Sequence, residues 1–530
     1  MPSWRPSRPR EEEPPVDRPA SSPFTAHRRL RELAESRGDE PFVLEAHEDG
    51  SHLSYAELYE QAARLATVLR DRGVAPGGRV FTQLGNRWES LAALFAASLL
   101  GAVVVPLAPG SSADDVAYAV EQTQPSAGLV LGDDPELLAV IAESGLAPSA
   151  LLAATADPGS GLVTIAAATA EATALSDSVA GQITDLLMVS YKAGTSGWPN
   201  GVMLTHANLR HAGTTYAAMT RLQSGDRVLV SFPISHIAGL GNMVMGALWS
   251  GAKLGFTAPG RAWIETAARQ RSTVANVTAV DVRELLAVEP LDPQPQELRL
   301  VVFGPAVPAS VRQQFERRFD TELRLGYGTT EAVAPISIWS PTITPDDECV
   351  GEVFAAQSLK VVDERNVPVA HGEPGELVVT GVPGVTLAAG YYGRPDLTEA
   401  VFASGSLHTG DRVILYPDGR LKFLGRTTET LKTALVSISA VELERVLKEH
   451  VGVVDAAVVE VATADSAQII VAFVVLSEYH FDVAEAELAA WVATRVGEGR
   501  CPDRYRFVDV LPYSAFGKIL KAELIRTWLT

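Results

Sequence analysis

Apolar positions along this chain switch repeatedly between two periods. Short β-branched runs at residues 79–83, 227–232 (RVLVSF), 298–303 (LRLVVF) and 322–325 predict strands, and residues 54–72, 209–219 and 310–319 carry the spacing of amphipathic helices. Strands alternating with helices predict an α/β protein with largely parallel sheets, since each parallel pair needs a long crossover that a helix supplies. From about Gly351 the pattern shifts to Val-rich strands separated by Gly/Pro turns, as in GEPGELVVTG at 372–381. That predicts an antiparallel or β-barrel-like portion closing the large region. A second shift follows Gly425-Arg426. A helix at 440–450, strands at 455–461 and 468–476, a helix at 483–496 and a strand at 505–510 predict a small α+β domain with its own core.

Residues 91–109 (LAALFAASLLGAVVVPLAP) are long and apolar enough to suggest a membrane span. Gly101 and Pro106 divide the stretch into a buried helix and a short Val-rich strand, which fits the surrounding alternation better. The first 23 residues are rich in Pro, Arg and Glu, lack the apolar run of a signal peptide, and predict a disordered tail. The expected organisation is the tail over 1–23, a large N-terminal domain over 24–424, a hinge at 425–428 and a small C-terminal domain over 429–530.

Composition removes several function classes. With 530 residues, 47% hydrophobic and 20% charged, the chain has core enough for several structural units. Lys and Arg total 44 against 64 Asp and Glu, so a net charge of −20 repels nucleic acid and anionic membranes, and neither is expected as a partner. A local basic site for a small anion is still compatible with that balance. Cys349 and Cys501 stand far apart without metal-ligand spacing, as expected of a reducing, cytoplasmic setting.

Candidate chemistry concentrates at 190–206, SYKAGTSGWPNGVMLTH. A Gly/Ser/Thr-rich loop after an apolar run presents backbone N–H groups and hydroxyls that suit a phosphate. It lacks the G-K-[ST] ending of a Walker loop, and on composition alone a surface turn is an equal reading. No G-x-G-x-x-G is completed after Gly239-Leu240-Gly241, and no G-x-S-x-G surrounds Ser196. Dinucleotide oxidoreduction and serine hydrolysis are therefore unsupported.

The loop resembles the phosphate-loop motif of the adenylate-forming superfamily, roughly Y-T-S-G-T-T-G-x-P-K-G-V. That superfamily comprises acyl-CoA synthetases, peptide-synthetase adenylation domains and luciferases. Tyr327-Gly328-Thr329-Thr330-Glu331 matches its Y-G-x-T-E segment, His408-Thr409-Gly410-Asp411 its T-G-D, and Gly425-Arg426 its G-R at the domain junction. PISHIAG at 233–239 resembles the segment beside its carboxylate pocket, with His236 at the aromatic or His position. SAFGKI at 514–519 resembles its C-terminal loop and puts Lys518 at the mobile lysine. The similarity runs in the family's order over residues 24–530.

The resemblance implies an acyl-CoA ligase whose small domain rotates between two half-reactions. Glu331 would hold Mg²⁺. Gly304, Pro305 and Ala306, with Tyr327, Gly328, Thr329 and Thr330, would line the AMP site. Asp411 would accept both ribose hydroxyls and Arg426 would bind ribose or phosphate. Lys518 would serve adenylation, Lys432 the thioester step with CoA, and His236 the thiol path or the acyl pocket. Read singly, Glu331 is more simply a helix-start charge and Asp411, Arg426 and Lys518 are solvated surface charges, while a satisfied core histidine is the alternative for His236.

Departures from the pattern cluster at the phosphate loop. Lys192 and Ala193 stand where paired hydroxyl residues precede Gly194, Asn200 replaces the lysine of P-K-G, and Thr195, Ser196 and Gly197 keep the remainder. Losing one preorganised donor costs about 10²–10³ in rate, so several losses predict a crippled adenylation step. Thr428 replaces the usual hinge Asp or Lys, and Leu435 replaces a glycine near Lys432, which counts against the thioester step. An acyl-adenylate has no β- or γ-phosphate, however, and its grip is preserved. The expectation is thioester formation from a hydrophobic carboxylic acid, mainly by passing a supplied acyl-AMP to CoA. A separate adenylating enzyme would make that acyl-AMP, and ATP and Mg²⁺ would be needed only if adenylation is retained. A complete ATP-dependent synthetase and a non-catalytic adenylate-binding protein are the alternatives. The apolar stretch IAGLGNMVM at 237–245 favours a hydrophobic acid over an amino acid.

Overall fold

A computed structural model describes residues 25–529, apart from 48, 158, 177, 180, 193–198, 292, 305, 306, 308, 340–348, 355–357, 428, 429, 433–436, 463–467, 478–482, 498, 499 and 514–518. The expected N-terminal tail lies outside the described residues.

Two sheets build the large region. In the first, Pro41–Leu44, Lys253–Phe256, Arg227–Val230, Val274–Thr278, Leu300–Gly304 and Glu322–Tyr327 are neighbours and run parallel. Beyond Glu322–Tyr327 the sheet continues antiparallel through Ser337–Ile338, Cys349–Val353, Arg420–Arg426, Ser406–Leu415, Pro374–Thr380 and Ser358–Val362. The antiparallel portion expected beyond Gly351 is thus an open extension of the parallel sheet among the described residues. The central strands are buried on both faces because helices cover both: every residue of Val274–Thr278 is buried, polar Asn276 and Thr278 included.

In the second sheet, Val163–Thr164, Leu151–Ala153, Ala127–Val130, Arg79–Gln83, Val103–Pro106 and Leu186–Lys192 run parallel. Asn200–Thr205 and Gly390–Tyr391 then add antiparallel strands at its edge. Local signals set the element ends. Helix Tyr55–Asp71 starts on a reciprocal cap between Ser54 and Glu57. The long apolar stretch resolves into helix Trp88–Leu100 and strand Val103–Pro106, separated by Gly101 at φ +64°. Among the described residues no helix is long and apolar enough to cross a membrane.

The small domain packs helices against both faces of a three-stranded sheet made by Val453–Ala462, Gln468–Leu476 and Arg504–Phe507. Leu443 and Val446 of helix Ala440–Lys448, with Leu488 of helix Glu485–Val496, pack on Val458, Ala472 and Val474. Alternate residues Val459, Val471 and Phe473 meet Leu511 and Leu524 on the opposite face. The small domain touches the large one through Arg283, whose Nη1 lies 3.4 Å from Asp455 Oδ2, and through Ser439 Oγ, which donates to Leu424 O at 2.5 Å.

Candidate adenylate site

The phosphate end of the candidate site begins on a hairpin. Strand Leu186–Lys192 pairs with Asn200–Thr205 so that Lys192 stands directly opposite Asn200. The two departures flanking the loop are therefore cross-strand partners whose side chains leave the same face. The strand carrying Lys192 is anchored from behind: Ser190 Oγ donates to Ser235 O at 3.1 Å and Tyr191 Oη to Gln122 Oε1 at 2.6 Å.

Facing the hairpin, strand Glu322–Tyr327 runs into a short turn, Thr330–Ala332, capped by Thr329. The residue after it, Val333, is buried and has φ +67°. A β-branched side chain in that region costs about 1–3 kcal/mol, and here the packed turn that carries Glu331 enforces it. Glu331 is 3% exposed, yet its carboxylate is fully engaged. Lys192 Nζ lies 2.5 Å from Oε1, Tyr391 Oη donates to the same oxygen, and Thr329 Oγ1 donates to Oε2. Burial alone would raise this carboxyl; the Lys192 ammonium and the two hydroxyls outweigh it and hold the group at about 2. Burial and the adjacent Glu331 charge push the Tyr391 phenol up, so it stays a donor.

His236 joins the same turn. Its Nδ1 accepts from Ala238 N–H at 3.2 Å, which assigns the ring proton to Nε2, 3.2 Å from Thr330 Oγ1. Residues Ala238–Val244 continue as a π-helix, a rare geometry concentrated at functional positions. Beside this segment opens a largely apolar cavity of 650 Å³, lined by Asn86, Leu94, Leu107, Ser235, Leu240 and Phe256 among others.

The nucleoside end is built by two adjacent strands, Ser406–Leu415 and Arg420–Arg426, which put Asp411 opposite Arg426. Asp411 is 3% exposed. Its Oδ2 accepts from Tyr327 Oη at 2.6 Å, and Arg426 Nε lies 3.0 Å from Oδ1. That approach is an ion pair off the hydrogen-bonding direction, so buried Oδ1 has no hydrogen-bond donor among the described residues. Gly410, at φ +70°, lets the strand bend here, while its N–H donates to Glu376 Oε1 at 3.0 Å. His408 Nδ1 lies 3.1 Å from Glu376 Oε2. Gly304, at the end of its strand, faces Gly326 O; a β-carbon there would sit 3.3 Å from that oxygen.

The structure therefore brings together Lys192, His236, Tyr327, Thr329, Thr330, Glu331, Asp411 and Arg426. Ala193, Gly194, Thr195, Ser196, Gly197, Pro305, Ala306, Thr428, Leu435 and Lys518 lie outside the described residues. For Lys432 only the backbone is described, in strand Thr430–Lys432 opposite Ser437. Tyr391 is the contributor that sequence reading missed, because tertiary contacts carry it to Glu331: Gly390–Tyr391 pairs with Val202 and Met203, and Ala388 N–H donates to Glu331 O.

The acceptors present test the fit of two expected ligands. An acceptor-only Asp411 oxygen without a donor suits a ribose hydroxyl. A magnesium ion at Glu331 does not fit the arrangement, since the Lys192 ammonium is already in contact with Oε1 and would repel a second cation at Oε2. No group of three or more His, Cys, Asp or Glu side chains suited to a metal exists among the described residues.

Sequence profiles place the chain. The profile described as AMP-binding enzyme matches residues 30–392, and the one described as AMP-binding enzyme C-terminal domain matches 442–518. The chain belongs to the AMP-binding enzyme family, in the acyl-CoA ligase branch of the adenylate-forming enzymes. A crotonobetaine/carnitine–CoA ligase of Salmonella paratyphi A is 28% identical over 505 residues, covering 93% of this chain and 97% of that protein. A benzoate CoA ligase from Burkholderia xenovorans LB400 superposes with a TM-score of 0.82 at 25% identity, over 95% of this chain and 100% of that one. An anthranilate CoA ligase in complex with anthranoyl-AMP shares the fold, with a TM-score of 0.85 at 20% identity over 96% of this chain and 98% of that one.

Proposed function

We propose that this ligase transfers the acyl group of a supplied acyl-adenylate to CoA, with the ATP-dependent formation of that adenylate impaired or lost. In the reaction the CoA sulfur bonds to the acyl carbon, the bond from that carbon to the phosphate oxygen breaks, and AMP leaves with the electron pair. The thiol proton passes to solvent. Asp411 accepts from the ribose and Tyr327 holds the carboxylate in place. Arg426 supplies positive charge beside the phosphate, and His236 lines the approach to the acyl carbon. Lys432 is assigned to the thioester face and Lys518 to the adenylation face. The 650 Å³ cavity next to Ser235 gives a hydrophobic acyl group or the pantetheine arm an apolar wall.

One observation carries the reading: at the mouth of the phosphate loop Asn200 is neutral, and the cation opposite it, Lys192, is turned onto Glu331. Charge-assisted contacts to phosphate are roughly twice as strong as neutral ones, so a departing pyrophosphate is poorly compensated here. The acyl-adenylate would then come from a separate reaction that activates a carboxylic acid. The test separates the two half-reactions. ATP–pyrophosphate exchange with candidate acids should stay at background, while synthetic acyl-adenylates with CoA should yield thioester. Robust exchange would establish a complete synthetase; no thioester from any adenylate would leave a binding protein.

A further inference from the structure

Glu331 places a full negative charge, almost without solvent, at the end of the site where the phosphate of an adenylate must come. Two anions in a low-dielectric pocket repel strongly unless a cation lies between them or beside them. The chain supplies that cation itself, with Lys192 Nζ at 2.5 Å from Oε1. We propose that Lys192 is a built-in counter-cation that does at Glu331 the work of a divalent metal, so that an acyl-adenylate is bound and consumed without metal. This rests on the thioesterification reading above and adds a metal requirement to it: none.

Three features support it. The carboxylate already carries three donors, Lys192 and Tyr391 on Oε1 and Thr329 on Oε2, and the ammonium on Oε1 would repel a metal ion brought to the remaining lone pair of Oε2. The lysine comes from the last residue of a strand fixed by Ser190 and Tyr191, so the ammonium is positioned by the fold. The charge balance also favours a monoanion: Lys192 neutralises Glu331 and Arg426 neutralises Asp411, so an acyl-adenylate brings one further negative charge to a pocket that is otherwise neutral at these two acids. A triphosphate carries several, and the second cation it needs would be repelled by Lys192. Lys192 acts here through Glu331, as a charge-compensating residue.

The test uses AMP as probe, by calorimetry, in EDTA and in excess Mg²⁺. The full-length protein should bind AMP equally in both within about twofold, and its thioester formation from acyl-AMP and CoA should be unaffected by EDTA. Lys192→Met should bind AMP at least tenfold more weakly in EDTA and regain much of that loss with Mg²⁺. Because Lys192→Met leaves a buried charge unpaired, Lys192→Met/Glu331→Gln provides a neutral pair. It should recover most of the affinity and show no response to metal. The proposal is overturned if AMP affinity of the unaltered protein falls tenfold in EDTA, or if the neutral pair binds no better than Lys192→Met. Should Lys192→Met not fold, the neutral pair must match the unaltered protein within about threefold, or the proposal fails. Thioester formation that requires Mg²⁺ would remove Lys192 as counter-cation and leave the thioesterification reading standing. Strong pyrophosphate exchange with metal-independent AMP binding would do the reverse.

Discussion

The two ends of the candidate site use the same residue chemistry to opposite effect. At the nucleoside end, Asp411 is buried beside Arg426 and Tyr327 and keeps one oxygen without a hydrogen-bond donor. At the phosphate end, Glu331 is buried to the same degree, beside Lys192, Tyr391 and Thr329, and both its oxygens accept. Each corner has an acid, a cation and a tyrosine. One is left short of donors and the other is closed upon itself. A ligand can gain a charge-assisted hydrogen bond at the first, whereas at the second three donors, one of them a cation, are already on the acid. Under the proposed function, this contrast is what would let one site hold an adenylate and resist a triphosphate.

Opening the first corner further should have the largest effect. Asp411→Ala should lower kcat/KM for thioester formation from acyl-AMP by about 10²–10⁴, since the two ribose hydroxyls each lose a hydrogen bond to a charged acceptor worth about 1.5–3 kcal/mol. Steady-state kinetics with a fixed acyl-adenylate reads this directly, and a loss below tenfold would mean the nucleoside is held elsewhere. Reopening the second corner comes next. Asn200→Lys with Lys192→Thr and Ala193→Ser should raise ATP–pyrophosphate exchange by about 10²-fold, following the value of a single preorganised donor. Unchanged exchange would place the defect outside the loop.

Stability gives smaller effects. Lys192→Met removes the partner of a buried carboxylate, a change that typically costs about 3–5 kcal/mol. With Lys192 25% exposed and two hydroxyls still donating, about 3 kcal/mol in chemical denaturation at neutral pH is expected. A loss under 1 kcal/mol would mean the ion pair is not formed in solution.

Acid cannot separate the two corners. Burial, before all other causes, holds His206 down to about 4 and His27 to about 3, where the nearby His206 also disfavours charge. Both are neutral in the folded chain, while the unfolded chain protonates them near pH 6.5. The unfolded state therefore binds more protons below that pH, and stability falls as pH drops from 6.5 towards 4, by about 1.4 kcal/mol per histidine per pH unit. Glu331 contributes stability above its unfolded value near 4.5, which is lost only as pH falls towards 2. Unfolding should thus begin before Glu331 titrates. Denaturation curves at pH 7, 6 and 5 should show the decline, and His27→Gln should flatten it. The smallest effect belongs to Arg283→Ala. That change removes a 3.4 Å contact between the domains and should cost less than about 1 kcal/mol, leaving AMP affinity unaltered.

Much of the scaffold was readable in the residue pattern. Strand Arg79–Gln83 and strand Gln468–Leu476 lie where the apolar runs put them, and the Gly101 break held. Strand Arg227–Val230 stops short of residue 232 because Ser231 turns to Asn276, its N–H on Oδ1 and its hydroxyl on the carbonyl, and Pro233 has no N–H to continue the ladder. Helix Lys521–Leu529 escaped notice because two short turns at a chain end carry too little periodicity. Within the candidate site, Tyr327 and Asp411 are named by the motif resemblance, and the structure places them in contact. The contact of Lys192 with Glu331 was not legible. It depends on hairpin register, a packed turn and a strand added from residues 390–391, none of which sequence spacing encodes.

The account stands most directly on a competition between AMP and Mg·ATP for the same protein, followed by calorimetry. AMP should bind at least tenfold more tightly than Mg·ATP, with an affinity indifferent to Mg²⁺. Mg·ATP binding as tightly as AMP or more tightly would contradict it.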